Sequence, residues 1–103
     1  MSFADNLNAL PEASGVRLRL RDAHGVERAV IENAPGTAGS FRLYIYLAQQ
    51  HGGITPQAAS EGVTLYAEHA DDARLHPGKH PNIDRLFDCM ARQMSLAVLV
   101  ERD

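Results

Sequence analysis

Leu96-Ala97-Val98-Leu99-Val100, near the carboxyl end, is the stretch that decides the fold. A run of aliphatic residues is typical of a β-strand, and this one is apolar on both of its alternating faces. Strands of this kind are usually central in a sheet, or have their second face covered by a partner chain. We therefore expect this run to pair with strands elsewhere in the chain.

The strands that it can join lie near the amino end. In residues 16–21 valine and leucine alternate with Arg17, Arg19 and Arg21, which predicts a strand with one face toward a core and one toward water. Residues 22–25 (Asp-Ala-His-Gly) form a reverse-turn signature, so residues 26–32 should complete a hairpin. Such arginines usually lie over the sheet and pair with carboxylates, here Glu27 and Glu32. The C-terminal strand is expected beside this hairpin.

The first two helices are predicted from their end signals. Ser2 can cap a short helix that Pro11 ends. Residues 41–51 alternate as a strand would, but their apolar residues also fit one helix face. Ser40 as an N-cap and Gly52-Gly53 as a left-handed stop favour the helix.

The helices that follow are marked in the same way. Thr55-Pro56 begins a helical segment that runs toward residue 74, with a break expected at Gly62 because an interior glycine is unfavourable. Two prolines and a glycine in residues 75–81 exclude a helix there. Asn82 should cap the last helix. The apolar stripe of this helix consists of Ile83, Leu86, Phe87 and Met90.

These elements predict an α+β fold. The sheet would be small, three-stranded, and antiparallel or mixed, made of the N-terminal hairpin and the C-terminal strand. A short first helix precedes it, and three or four further helices cover it. With 103 residues the chain has room for one domain, 1–103. The doubly apolar last strand also favours a homodimer that covers an open face or edge.

Composition excludes several classes of function. The net charge is −3 and the basic residues form no cluster, which argues against nucleic-acid binding. No apolar run approaches the roughly 20 residues that span a bilayer, and the amino end lacks a signal-peptide pattern. We therefore expect a cytoplasmic protein without a membrane partner. Cys89 stands alone, which excludes an intrachain disulfide and favours a half-buried structural thiol.

Residues 36–40 (Gly-Thr-Ala-Gly-Ser) form the first candidate site. Glycines let backbone amides approach an anion, and a helix N-terminus favours negative charge. Gly39 and Ser40 are therefore candidates for binding a phosphate or carboxylate. The segment is neither a Walker loop, because Phe41 follows Ser40, nor a dinucleotide fingerprint. A tight loop with an N-cap is the simpler interpretation.

The second candidate is the loop His-Pro-Gly-Lys-His-Pro-Asn at residues 76–82. Lys79, His80 and Asp84 just beyond it could bind a polar ligand, and His69 adds an imidazole upstream. The spacing matches no compact zinc motif, so neither a metal nor another cofactor is expected. The simpler interpretation is a solvated connector between helices. Residues 68–72, which are mostly acidic, are interpreted as a solvated helix face.

Three segments resemble a known family. They are the opening Ser-Phe-Ala-Asp-Asn-Leu (2–7), Leu-Tyr-Ala-Glu-His (65–69) and Pro-Gly-Lys-His-Pro-Asn-Ile-Asp (77–84). Together they are similar to a family of small proteobacterial proteins of unknown function, over essentially the whole chain. The resemblance implies a bacterial protein whose full length is the natural unit, and it implies no activity.

Two functional hypotheses stay open, and catalysis is undecided between them. The first is a non-catalytic module that binds a small ligand, such as an anion, or another protein. The second is a small enzyme or anion-binding protein that uses the loop from His76 to Asp84. Because no catalytic constellation has the required spacing, no catalytic residue is assigned. The two hypotheses differ in geometry: a site requires that residues 36–40 and 76–84 meet in one concave pocket.

Overall fold

The computed structural model describes all 103 residues and confirms the α+β class. A three-stranded antiparallel sheet carries five helices. In chain order the elements are α1 (Phe3–Asn8), β1 (Arg17–Arg21), β2 (Glu27–Glu32), α2 (Ala38–His51), α3 (Pro56–Tyr66), α4 (Glu68–Leu75), α5 (Pro81–Arg92) and β3 (Ala97–Glu101). The predicted hairpin, the helix rather than a strand at residues 41–51, and the C-terminal strand beside the hairpin are all confirmed.

The strand order is β2-β1-β3, so β1 is central and β3 lies at an edge. Leu18 of β1 pairs with Ile31 of β2 on one side and with Val100 of β3 on the other. Of the two explanations considered for the doubly apolar run, a central position in the sheet is therefore excluded. Leu96 is apolar because it is buried beside Ile54. Leu99, in contrast, remains exposed on the outer face of the sheet.

The outer face of the sheet is held by ion pairs. Arg17 contacts Glu32 at 2.7 Å and Glu101 at 2.6 Å, and Arg19 contacts Glu27 at 2.9 Å as well as Glu101. The predicted pairing with Glu27 and Glu32 is confirmed for Arg17 and Arg19 but not for Arg21, and Glu101 is an additional partner. Hydrogen bonds from Arg17 and Arg19 lower the pKa of Glu101. These contacts join all three strands on the side away from the helices.

The helix ends agree with the sequence signals in part. The Ser2 hydroxyl accepts from the Asp5 amide, and the Thr55 hydroxyl accepts from the Ala58 amide, as N-caps do. Gly52 follows α2 with φ of 79°, the left-handed conformation that glycine adopts without steric cost. Ser40 was wrong as an N-cap, because α2 begins at Ala38.

Two further boundaries differ from the expectation. The helical segment breaks at Ala67, with φ of 54°, and not at Gly62. Asn82 lies inside α5, whose N-cap position is His80 and whose first residue is Pro81. Proline suits the first helical position because the amide it lacks would have no partner there. Cys89 is fully buried rather than half-buried.

Gly62 is a point of close helix packing. A Cβ atom on this residue would lie 2.8 Å from a methyl carbon of Leu47 in α2 and 2.8 Å from one of Leu86 in α5. Both leucines are fully buried in the single core cluster of twenty side chains. The glycine that looked like a helix breaker therefore lets three helices approach one another.

None of the five helices combines the length and the apolar character that a membrane crossing requires.

Replacing Gly62 with valine should destabilise the protein by about 1–3 kcal/mol, because two buried leucines must move to admit the new side chain. The free energy of unfolding from urea titration measures this effect. Ser60→Val places the same side chain on an exposed position of α3 and should change the free energy by less than about 0.5 kcal/mol. Equal effects of the two substitutions would contradict the packing role of Gly62.

Candidate functional site

The two candidate segments meet in one cleft of about 400 Å³. Gly36, Thr37 and Ser40 form one wall, and the end of the α4–α5 connection with the first turn of α5 forms the other. Tyr66 and His69, on either side of the break at Ala67, lie between them with Phe3 of α1. Four of the six predicted site residues line this cleft: Ser40, His69, Lys79 and His80.

The other two predicted residues lie outside the cleft. The Asp84 carboxylate accepts a hydrogen bond of 2.9 Å from the Gly78 amide and lines a different surface depression beside Arg28. This hydrogen bond holds the turn at Gly78, where the glycine adopts φ of 91°. Gly39 packs against α1: a Cβ on it would lie 3.2 Å from Leu7 and 3.4 Å from Phe3.

Asp72 is the polar centre of the α4–α5 connection. One carboxylate oxygen lies 2.6 Å from His80 Nε2 and 2.9 Å from Lys79 Nζ, and the other lies 3.7 Å from His76 Nε2. Two hydrogen bonds, the stronger contribution from His80 and the next from Lys79, lower the pKa of Asp72 to about 2. The carboxylate is therefore ionised throughout the neutral range and fixes both side chains.

Sequence reasoning missed Asp72, because residues 68–72 were interpreted as a solvated face. A partial signal was present: Asp72 and His76 are four residues apart at the end of the predicted helical segment, a spacing at which helical side chains are neighbours. His76 is the C-cap of α4. The contacts with Lys79 and His80 depend on how the chain reverses after Leu75. No helical periodicity predicts that reversal.

Aromatic rings form the wall between the two segments. The Phe3 and Tyr66 rings stack with centroids 5.1 Å apart, and the His69 ring meets Phe3 edge-on at 5.1 Å. The centroid of His69 lies 5.9 Å from that of His80. The amide of Phe3 also donates a 2.7 Å hydrogen bond to Glu68. These contacts hold α1 against α4 and place both imidazoles on the cleft.

A hydroxyl pair lies on the same wall. Ser40 Oγ and Tyr66 OH are 2.6 Å apart, and burial raises the pKa of Tyr66 to about 12. Ser40 is in the first turn of α2, where neither its amide nor that of Gly39 has a hydrogen-bond partner within the chain. The hydroxyl of Thr37, at the N-cap position, donates a hydrogen bond of 2.7 Å to the Glu32 carbonyl and therefore does not cap the helix. The predicted amides are thus unpaired, but only Ser40 of the two residues reaches the cleft.

Asn82 is fixed by the core beneath the cleft. Its carbonyl accepts a hydrogen bond from the buried Tyr44 hydroxyl, and its side-chain oxygen accepts one of 2.8 Å from Arg85. Arg85 also lies over the Tyr44 ring, with its guanidinium carbon 5.7 Å from the ring centroid. The first turn of α5 is therefore anchored, which leaves the lining of the cleft largely pre-formed.

The chemistry available in the cleft is that of hydrogen-bond donors and one fixed cation. Lys79 supplies the positive charge, the two imidazoles can donate or accept protons, and the Ser40 hydroxyl can do the same. Because Nε2 of His80 is bonded to Asp72, Nδ1 is the ring nitrogen left for another partner. No group of three or more histidine, cysteine, aspartate or glutamate side chains is arranged to hold a metal ion.

Comparison with known proteins gives one match. The model of a family described as an uncharacterised protein conserved in bacteria, DUF2322, matches residues 3–100. The resemblance to a bacterial family is thereby confirmed, while its restriction to proteobacteria stays a prediction. Neither the curated proteins nor the solved structures gave a match.

Replacing Asp72 with asparagine should lower the melting temperature at pH 7, because the variant loses the charge that holds Lys79 and His80. The pKa of Asp72 is about 2 in the folded chain and ordinarily about 3.9, so its contribution is complete above pH 4 and is lost as the pH falls through 2. Thermal unfolding at a series of pH values should show wild type and variant converging toward pH 2.

Asp71→Asn is the matched control, since Asp71 is its exposed neighbour and pairs only with Arg74. It should leave the melting temperature almost unchanged. A difference between wild type and Asp72→Asn that stays constant from pH 7 to pH 2 would contradict the assigned role.

Proposed function

We propose that this chain, which belongs to the bacterial family of uncharacterised proteins DUF2322, binds a small anionic molecule in the cleft between residues 36–40 and the α4–α5 connection. The group that it recognises is a carboxylate or a phosphate. The observation that carries the proposal is the convergence of Ser40, His69, Lys79 and His80 on one concave surface.

Charge supports an anion as the ligand. Lys79 is more than half exposed, so its ammonium group is accessible although one side faces Asp72. A single carboxylate, that of Asp72, faces one lysine and the imidazoles of His76 and His80. An anion that enters the cleft meets several hydrogen-bond donors; the charges of Lys79 and Asp72 balance while the imidazoles are neutral, and the cluster becomes net positive when an imidazole is protonated.

Shape supports a small molecule. A volume of about 400 Å³ lies within the range of small-molecule sites. The Phe3 ring, which stacks on the buried Tyr66 ring, offers apolar surface beside the polar donors, so a ligand with an anionic end and an apolar or planar body fits best. Because the walls are fixed by internal hydrogen bonds, little conformational entropy is lost on binding.

One observation favours catalysis as a second function of the same cleft. Asp72 orients His80 through a 2.6 Å hydrogen bond, which is the arrangement that lets a histidine act as a general base through its other nitrogen. In this alternative, Nδ1 of His80 accepts a proton from the bound molecule or from a water beside it. Lys79 stabilises the negative charge that develops.

Isothermal titration with inorganic phosphate and a series of small mono- and dicarboxylates tests the binding proposal, after a thermal-shift screen has selected the best probe. A probe at 100 times its Kd should stabilise the protein by about 2.7 kcal/mol. Lys79→Gln should weaken binding at least tenfold, because it removes the fixed cation. His24→Ala, which removes an exposed histidine in the β1–β2 turn, should leave affinity unchanged.

Flat responses of the wild type to every anion would reject the proposal. An equal loss of affinity in Lys79→Gln and His24→Ala would reject the assigned location.

The catalytic alternative is tested by following the selected probe and its chemical relatives by NMR over hours. If His80 is a general base, conversion should fall at least a hundredfold in His80→Gln, and also in Asp72→Asn because the histidine loses its orienting partner. If the wild type binds the probe without converting it, the catalytic alternative is rejected and only the binding function remains.

A further inference from the structure

The outer edge of β3 is open. Beyond its pairing with β1, this strand is covered only at its start, where Leu96 and Ile54 exchange backbone hydrogen bonds of 2.8 and 3.0 Å. Ala97, Leu99 and Glu101 lie opposite Arg21, Arg19 and Arg17 of β1.

Backbone amides and carbonyls alternate sides along a strand. Those of Val98 and Val100 therefore point to the same side as those of Leu96, away from β1. No backbone hydrogen bond outside the sheet involves either valine. Unpaired groups in this geometry form a template for another extended strand.

The opposite edge of the sheet is protected, and this one is not. The β2 edge carries a bulge opposite Leu20 and Arg21 and the charged side chains of Glu27, Arg28 and Glu32. Bulges and charges are the usual devices that prevent one edge strand from pairing with another. β3 reads Ala-Val-Leu-Val before its first charge, Glu101, and pairs with β1 in uninterrupted register.

We propose that two copies of the chain associate through β3, antiparallel about a two-fold axis at Leu99, to form one continuous six-stranded sheet. In this register Val98 pairs with Val100 of the partner subunit, and each such pair exchanges both of its backbone hydrogen bonds. Leu99 lies directly opposite Leu99 of the partner subunit. The two exposed leucines cover each other on the outer face.

The proposed register of the two β3 strands also keeps their charged side chains apart. Glu101 lies opposite Ala97 of the partner subunit, so the two glutamates are roughly 14 Å apart along the paired strands. The pairing extends no further, because β3 ends at Glu101 and Ile54 already occupies the outer edge of Leu96. Each glutamate is already bonded to Arg17 and Arg19 of its own chain. No like charges meet at the junction. The same surface serves both copies, as a two-fold interface requires.

Light scattering at tens to hundreds of micromolar should give twice the 11.3 kDa mass of one chain. Leu99→Lys should return the mass to that of a monomer, since it places two ammonium groups side by side across the axis. Val30→Lys is the matched control: Val30 and Leu99 are 40% and 39% exposed and flank the same residue, Arg19, on opposite edges. This control should stay dimeric.

Cysteine substitution tests the register itself and does not depend on the lysine variant folding. The Cα atoms of a non-hydrogen-bonded antiparallel pair are about 4.5 Å apart, within the span of a disulfide. Leu99→Cys should therefore form a covalent dimer on mild oxidation, whereas Val30→Cys should not. Cys89 does not interfere, because it is buried.

A wild type that remains monomeric at these concentrations, or cross-linking of Val30→Cys as efficient as that of Leu99→Cys, would overturn the proposal. The first result would mean that the edge pairs with a different protein or with none.

Discussion

The pairing of β1 with strands from both sides is the constraint on which the rest of the structure depends. β2 follows β1 through a tight turn, whereas β3 comes from the far end of the chain. The three-stranded sheet is therefore complete only when the amino-terminal and carboxyl-terminal parts of the chain come together. Leu18 and Leu20 are then completely buried and form the floor on which the helices pack. On the other face Arg17 binds glutamates from both neighbouring strands, which ties the two pairings together.

The cleft is a consequence of how the helices reverse over that floor. The break at Ala67 separates Tyr66, which faces Ser40, from His69 and Asp72, which face the next reversal. Pro81 and the Gly78 turn then bring His80 back to Asp72. The reversals of the chain thus bring the polar groups of the cleft together. The Ser40–Tyr66 and Asp72–His80 hydrogen bonds hold them there, and the Gly78 turn is held by the hydrogen bond from its amide to Asp84.

Family membership supplies no activity, and the geometry of the cleft is what supports the proposed function. The cleft is built from α1, the first turn of α2, the residues on either side of Ala67 and the start of α5, and no residue of β3 lines it. The proposed two-fold pairing at β3 uses the opposite property of the molecule, an unprotected edge rather than a concave surface. A ligand site and a dimer interface can therefore coexist in one small chain.

The sequence by itself determined the elements, because their signals are local: alternation marked β1, Thr55-Pro56 and Gly52 marked helix ends, and an aliphatic run marked β3. Four of the six candidate residues that it indicated line one cleft. Only the tertiary structure decided that β3 is an edge, that Gly62 is a packing point, and that Asp72 rather than Asp84 contacts Lys79 and His80 of the cleft. These properties arise from contacts between residues that are distant along the chain or lie across a reversal, and periodicity within one element carries no record of its neighbours.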